Sequence, residues 1–229
     1  MKLNYKNFLV IIVLAELLLI CLFYINHVPV NLTKEDIAVF KSLEFFRPSA
    51  PLTFQQEIDL IKHVQLKVIS LAPVGEGIEV GKSREPADLM RVMHGLCYDR
   101  SRTFDKVFKY LGFETRHVYI LYKQHTPFYR AIFHHGQPSH AVTEVKTKKG
   151  WILVDSNTSW ISLNKQGNPI DADGVWKRFA EFDNAPIYMS RPYWAIRGLY
   201  SRKGQFYGGF LPLPEINFPD FGFWALSLD

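Results

Sequence analysis

"SHAVTEVKTKKGWILVD" (residues 139–155) consists of two runs of strand-forming residues separated by the polar, Lys/Gly-rich TKKG. Such a pattern predicts an antiparallel hairpin, and its register decides what the strands bring together. Any even-length turn pairs even-numbered residues with odd-numbered ones on one face. If Lys146 faces Trp151, then Val142 faces Asp155, and His140 becomes the diagonal neighbour of Asp155, roughly 7 Å away between backbones. An imidazole and a carboxylate can hydrogen-bond across that gap. An odd-length turn puts them on opposite faces.

Upstream, "TRHVYILY" (residues 115–122) is a further strand, and "GLCYDRSRTFDKVFKYLG" (residues 95–112) reads as a helix broken from its predecessor by Gly95 and closed by Leu111-Gly112. On this helix positions 97, 101, 104 and 108 share one face, which Phe104 and Phe108 mark as buried. Cys97 therefore faces inward at the helix N-terminus. There the macrodipole and the unpaired backbone N–H groups favour a thiolate. An inert core cysteine has no need of that place, whereas a nucleophile that wants a base, and a base that wants an orienting group, would use it.

The rest of the chain sets the surroundings. The 229 residues are 48% hydrophobic and 15% aromatic, which excludes wholesale disorder. A balance of 27 Lys+Arg against 22 Asp+Glu is too mildly basic for nucleic acid and suits an anionic membrane surface or glycan. Phe8 to Ile25 is an apolar run of bilayer length, interrupted by Glu16, which costs about 3 kcal/mol at mid-membrane and is outweighed by its Leu, Ile, Val and Phe neighbours. Lys2 and Lys6 precede the run, so the N-terminus is expected in the cytoplasm and the remainder outside, periplasmic if bacterial. "NHVPVN" after the run lacks a small-x-small cleavage site, so the expectation is an uncleaved single-pass anchor in the inner or plasma membrane. With Cys21 inside that run, Cys97 stands alone in an oxidising space, as a free reactive thiol, an intermolecular bridge or a buried inert side chain.

After the anchor, Thr33 caps a short amphipathic helix that Arg47-Pro48 ends. Thr53 and Gln56 stand at capping-box spacing before a second helix with Ile58, Ile61, Val64 and Val68 along one stripe. Gly81-Lys82-Ser83 imitates the end of a phosphate loop, but Glu76 stands where that motif needs glycine, and a helix and Pro73 precede it instead of a strand. No nucleotide is expected. Ser83 and Pro86 open a short helix over "EPADLMRVM". Four segments result: residues 1–26 as cytoplasmic start and anchor, 27–84 as juxtamembrane helices, 85–160 as a core, and 161–229 as an aromatic, Pro-rich extension completing the domain.

Residues 88 to 160 resemble the transglutaminase-like superfamily of papain-type cysteine enzymes. The resemblance is carried by Gly95-Leu96-Cys97-Tyr98-Asp99, Leu111-Gly112-Phe113-Glu114-Thr115-Arg116, His140-Ala141, and Trp151 with Asp155. It implies an α+β fold in which the nucleophile helix packs on an antiparallel sheet, here preceded by a single transmembrane helix. It also implies acyl transfer at peptide or amide bonds, with Cys97 as nucleophile, His140 as proton carrier and Asp155 holding the imidazole. The oxyanion would meet the Cys97 backbone N–H and a side-chain donor, for which Gln65 and His63 are the candidates. Tyr98, Trp151 and Trp160 are the expected substrate-groove residues. Two departures, Val142 where the family often has Trp and Ser156 where it often has Pro, bear on that groove.

No cofactor or metal is expected. His134, His135 and His140, with His125, lack standard ligand spacing, because adjacent histidines on a strand point opposite ways. His94 is expected as a surface or interhelical contact, and Tyr98, Asp99 and Arg102 as supports of the helix start or as the rim of the groove. The expected partners are the membrane and a peptide, protein or cell-surface polymer substrate. The alternative to an enzyme is a catalytically silent binding or assembly module for a peptide or glycan. The tail "FYGGFLPLPEINFPDFGFWALSLD" is too aromatic to lie in water; it either completes the core or places Trp224 at the groove or the membrane surface.

Overall fold

The computed structural model describes residues 5–123, 127–132, 136–201 and 215–227. Helix α1 (Tyr5–Asn26) carries the apolar run. Among the described residues no helix is long and apolar enough to cross a membrane, so the expected transmembrane span is not a feature of the described fold. Many of α1's apolar side chains lie open, among them Phe8, Ile11, Leu14 and Leu18.

Three helices follow and build one side of the core. Both α2 (Lys34–Ser42) and α3 (Phe54–Leu71) begin with reciprocal capping boxes, Thr33 with Asp36 and Thr53 with Gln56, which satisfy amides the first turn leaves without partners. The α3 stripe of Ile58, Ile61, Val64 and Val68 is buried as its spacing demands. Next comes α4 (Pro86–Val92), with Glu85 and not Ser83 at its N-cap position, where the Glu85 N–H donates to the Asp88 carboxylate at 3.3 Å.

The central element is α5 (Cys97–Leu111), which Gly112 ends in a left-handed conformation. Twelve of its fifteen residues are buried, including Asp99, Arg100, Arg102, Asp105 and Lys106, where amphipathic spacing predicts only one buried face. Charges become tolerable inside when partners meet them. Lys106 Nζ reaches Asp36 of α2 at 2.7 Å and Glu85 at 2.6 Å, Arg102 reaches Glu85 at 3.0 Å, and Arg84 pairs with Asp99. Phe104 and Phe108 point the other way, into a cluster with Ile58, Ile61, Val64 and Phe40.

The other layer is an antiparallel sheet. Strands β1 (Thr115–Tyr122), β2 (Ser139–Thr147) and β3 (Gly150–Val154) are joined later in the chain by β4 (Tyr193–Arg197), in the order β3-β2-β1-β4. Short helices α6 (Phe128–Ala131) and α7 (Ala172–Val175) lie between these strands. Helix α5 packs on one face of the sheet, where Ser101 Oγ bonds His117 Nδ1 at 3.0 Å and Thr143 Oγ1 at 3.1 Å. The other face carries Val118, Ile120, Val142, Leu153 and Ala195 into a second cluster with Ile170, Val175 and Met189.

The end of the chain returns to its beginning. Strands β5 (Leu199–Tyr200) and β6 (Glu215–Ile216) form a small antiparallel pair, and α8 (Phe218–Leu226) follows, capped by Asn217. Val28 donates its N–H to Ile216 at 2.9 Å, and Asn217 Nδ2 donates to the Val28 carbonyl at 2.8 Å. Trp224 is buried against Leu121, Ala131, Ile132, Ile196 and Leu199, so this part of the tail completes a core, while Phe223 and Leu226 remain exposed. The rest of the tail, residues 206–214 and 228–229, lies outside the described residues.

Candidate active site

Hairpin β2–β3 has the two-residue turn that the sequence pattern requires: Thr147 pairs with Gly150, Lys146 with Trp151, and Thr143 with Val154. Continuing that register past β3 sets Asp155 beside Val142 and diagonal to His140. The side chains meet, with His140 Nε2 and Asp155 Oδ1 2.6 Å apart. Both are buried.

Asp155 is held by more than the imidazole. Its Oδ2 accepts from the Thr158 backbone N–H at 2.8 Å, the Thr158 hydroxyl at 2.7 Å and the Tyr188 hydroxyl at 2.6 Å. Burial alone would raise its value; the hydrogen bond and charge of His140, with the Tyr188 and Thr158 hydroxyls, hold the carboxyl below its ordinary range. Tyr188 also sets its ring edge-on to His140, centroids 5.3 Å apart. The phenol is driven up by burial and by the Asp155 charge, so it stays a proton donor.

Cys97 occupies the first position of α5 and keeps part of its surface open. Its thiol hydrogen-bonds to His140 and to the backbone of Ala141, at the beginning of β2. Burial opposes the thiolate, but the His140 hydrogen bond and charge, the Ala141 contact and the Arg100 charge outweigh it and lower the thiol's value. For His140 burial favours the neutral ring, and its contacts with Asp155 and Cys97 overcome that penalty and raise it to about 9. Sulfur, imidazole and carboxylate thus form one chain whose contacts favour the thiolate, the imidazolium and the carboxylate.

Behind this chain sits a rigid frame. Asp99 accepts from the Leu96 N–H at 2.8 Å and pairs with Arg84, whose guanidinium also covers the Tyr98 ring at 4.5 Å. At Gly95 an added Cβ would meet Leu89 Cδ1 at 2.7 Å, so a larger residue there would force the buried Leu89 side chain to shift. Arg100 Nη1 donates to the Gly95 carbonyl at 2.6 Å, while its other nitrogens reach Ser156 O and Asn157 Oδ1, so one guanidinium ties the loop before Cys97 to the loop after Asp155.

The other expected residues fall in different places. Gln65 is fully buried, and its Nε2 donates to the carbonyls of Asp155, Thr158 and Trp160 at 2.8, 3.0 and 2.8 Å. An amide so engaged fastens the Asp155 loop to α3 and has no hydrogen left for an oxyanion. His63, about 200° around the same helix from Gln65, is exposed and stands edge-on to Phe45. Trp160 shares its carbonyl with Gln65 and the Asp155 N–H, and packs edge-on against Phe182. Trp151 stacks under Arg116 at 3.9 Å and Lys146 at 4.9 Å and lines a cavity of about 490 Å³ with Arg197 and Asp220. His94 lies beside Gly75, so it joins the loop after α3 to the loop before α5 and is not a contact between helices. His125, His134 and His135 lie outside the described residues. Among the described residues no group of three or more His, Cys, Asp or Glu side chains is arranged to hold a metal.

Three participants had no place in the sequence-based expectation. Thr158 was accessible to it: Asp-Ser-Asn-Thr after a strand is an aspartate turn in which the carboxylate takes the amide three residues on. Arg100 reads as an ordinary helix-surface cation, and Tyr188 arrives from a 3-10 helix (Ile187–Ser190) with no periodic signal.

Residues 56–156, under half of the chain, match the family model described as the transglutaminase-like superfamily, so the chain carries a transglutaminase-like domain over that stretch. No curated protein matches the chain. Among solved structures, arylamine N-acetyltransferase C from Bacillus anthracis is similar at 14% identity and a TM-score of 0.33, covering 61% of this chain and 54% of that one. The chain thus spans about half the length of that structure.

Proposed function

We propose that the protein is a thiol enzyme that cleaves or transfers acyl groups at peptide or amide bonds through Cys97, His140 and Asp155. The single observation carrying this is the His140 Nε2–Asp155 Oδ1 contact of 2.6 Å on an imidazole that also bonds the Cys97 thiol. The match to the transglutaminase-like model supports it at the level of cysteine-based acyl-transfer or hydrolase chemistry.

The chemistry follows from the charges. The Cys97 thiolate attacks the carbonyl carbon, and the displaced electron pair collects on oxygen. That oxyanion meets the amides of the first turn of α5, which have no acceptor within the helix. Collapse restores the carbonyl and breaks the C–N bond as His140 gives its proton to the departing amine, leaving a thioester and a neutral imidazole. His140 then takes a proton from water or an acceptor amine as that molecule attacks the thioester. Breaking the C–S bond returns the thiolate, and His140 is an imidazolium again. Asp155 keeps one imidazole face throughout. Tyr98 and Trp160, flanking Cys97 and Asp155 in the chain, are the proposed groove residues, and a peptide, protein or cell-surface polymer is the proposed substrate.

An extracytoplasmic address is part of the same proposal. Its support is the row of open apolar side chains on α1 and the two lysines near its start. Reporter fusions at the C-terminus test it: activity of a reporter that works only in the cytoplasm overturns it. The enzyme reading is tested by thiol-directed electrophiles at mildly acidic pH. Cys97 is expected to be labelled there, where an ordinary thiol is protonated and inert. A Cys97 that reacts only above its ordinary value contradicts the proposal and leaves a silent binding module.

A further inference from the structure

Arg100 is fully buried, yet none of its hydrogen bonds goes to a carboxylate. Its Nε donates to the Ser156 carbonyl, Nη1 to the carbonyls of Gly95 at 2.6 Å and Ala72 at 3.2 Å, and Nη2 to the side-chain oxygen of Asn157 at 2.6 Å. A buried cation is costly unless an opposite charge stands near. The other buried cations of α5 obey that rule: Arg102 and Lys106 meet Glu85, and Lys106 also meets Asp36. The neighbouring Asp99 is taken by Arg84. What remains to balance Arg100 is the centre itself. Burial lowers the guanidinium's value, and Cys97, Asp99, Asp155 and Tyr188 act on it at longer range and offset part of that lowering.

Thiolate, imidazolium, carboxylate and guanidinium sum to zero. Without Arg100 the buried group would carry a net negative charge, and the thiolate is the member that most readily takes up a proton to remove it. We propose, on the footing of the Cys97–His140–Asp155 reading above, that Arg100 is a positioning residue whose charge holds Cys97 as a thiolate, its neutral acceptors leaving that charge uncancelled.

The groups facing the thiol from other elements do not supply a second cation. His140 comes from β2 and is already counted. Tyr119 and Tyr122 of β1 and Tyr98 of α5 interact with Cys97, and each of these phenols is held protonated by burial. Arg84 covers Tyr98 and is paired with Asp99.

The test uses the full chain and iodoacetamide. The pH dependence of alkylation, corrected with a Cys97→Ser control that removes the Cys21 contribution, gives the thiolate midpoint. Arg100→Gln keeps part of the hydrogen bonding and removes the charge. Its midpoint is expected to rise by about one unit or more, while Arg100→Lys recovers most of that rise. Equal midpoints in wild type, Arg100→Gln and Arg100→Lys overturn the proposal; so does an equal rise in both variants, which makes the guanidinium a hydrogen-bond clamp only. If Arg100→Gln does not fold, Asn157→Asp asks the same question by giving the guanidinium a carboxylate partner: a raised midpoint supports the proposal and an unchanged one overturns it. A wild-type midpoint that is not lowered defeats the triad reading instead, which keeps the two failures apart.

Discussion

Replacing His140 with alanine removes the largest of the contacts that favour the Cys97 thiolate and one of the partners of Asp155. The thiol of His140→Ala is expected to move toward its ordinary value, so its alkylation rate at mildly acidic pH falls about tenfold or more. Cys97→Ser abolishes labelling at this site. Wild-type acyl transfer is expected to follow a bell. The acid limb marks protonation of the Cys97 thiolate. The alkaline limb falls near 9, where the imidazolium loses the proton a leaving amine needs. Alkylation needs only the thiolate and stays high above that limb, so the two profiles separate the roles. The sign for stability is fixed by the same shift. His140 is raised from 6.5 to about 9 in the folded protein, so its contribution is complete below the lower value and is lost as pH rises through the upper one. Gln65→Leu is expected to cost about 3 kcal/mol, since the Asp155 and Thr158 carbonyls lose the Gln65 donor and the Trp160 carbonyl keeps only the Asp155 N–H. Urea unfolding measures it.

At the scale of elements, α5 and hairpin β2–β3 illustrate what a sequence discloses. The hairpin was readable because alternation and turn length are local, and they place His140 beside Asp155 without any other part of the fold. The position of Cys97 at a helix start was equally local. What surrounds α5 was not. Arg100, Arg102 and Lys106 look like solvent-facing residues, and their burial depends on Asp36, Glu85 and Asn157, far away in sequence. Gln65 was named only as an oxyanion donor, because which carbonyls it meets depends on how α3 docks on the loop after β3. The buried Lys106–Asp36 pair gives a test at this scale. Asp36→Ala removes the carboxylate that accepts from the Thr33 N–H in the α2 capping box and one carboxylate of Lys106, and is expected to destabilise by about 3–5 kcal/mol. A change within about 0.5 kcal/mol, the surface norm, would show that α2 is not fastened to α5.

The whole molecule is closed by its late segments. Strand β4 completes the sheet beside β1, and α8 places Trp224 in a core with Leu121 and Ile196. The segment after α1 is bonded to β6 and Asn217, so the two ends of the described fold support each other. Deleting residues 215–229 is therefore expected to cost the folded domain, seen as loss of a cooperative unfolding transition. A truncated protein that unfolds like the full chain contradicts that role. Nothing in the sequence of residues 161–229 announces β4 as a partner of β1, because the pairing crosses more than seventy intervening positions, roughly Tyr119 to Ile196.

The central claim is that Cys97 becomes acylated with His140 as its proton carrier. Intact-mass analysis of the full chain after brief reaction with an activated acyl ester tests it most directly. One acyl mass on Cys97 is expected. It should be released by hydroxylamine, absent in Cys97→Ser and formed far more slowly in His140→Ala. Absence of a Cys97 adduct in wild type, or an adduct that forms equally fast without His140, would contradict the account.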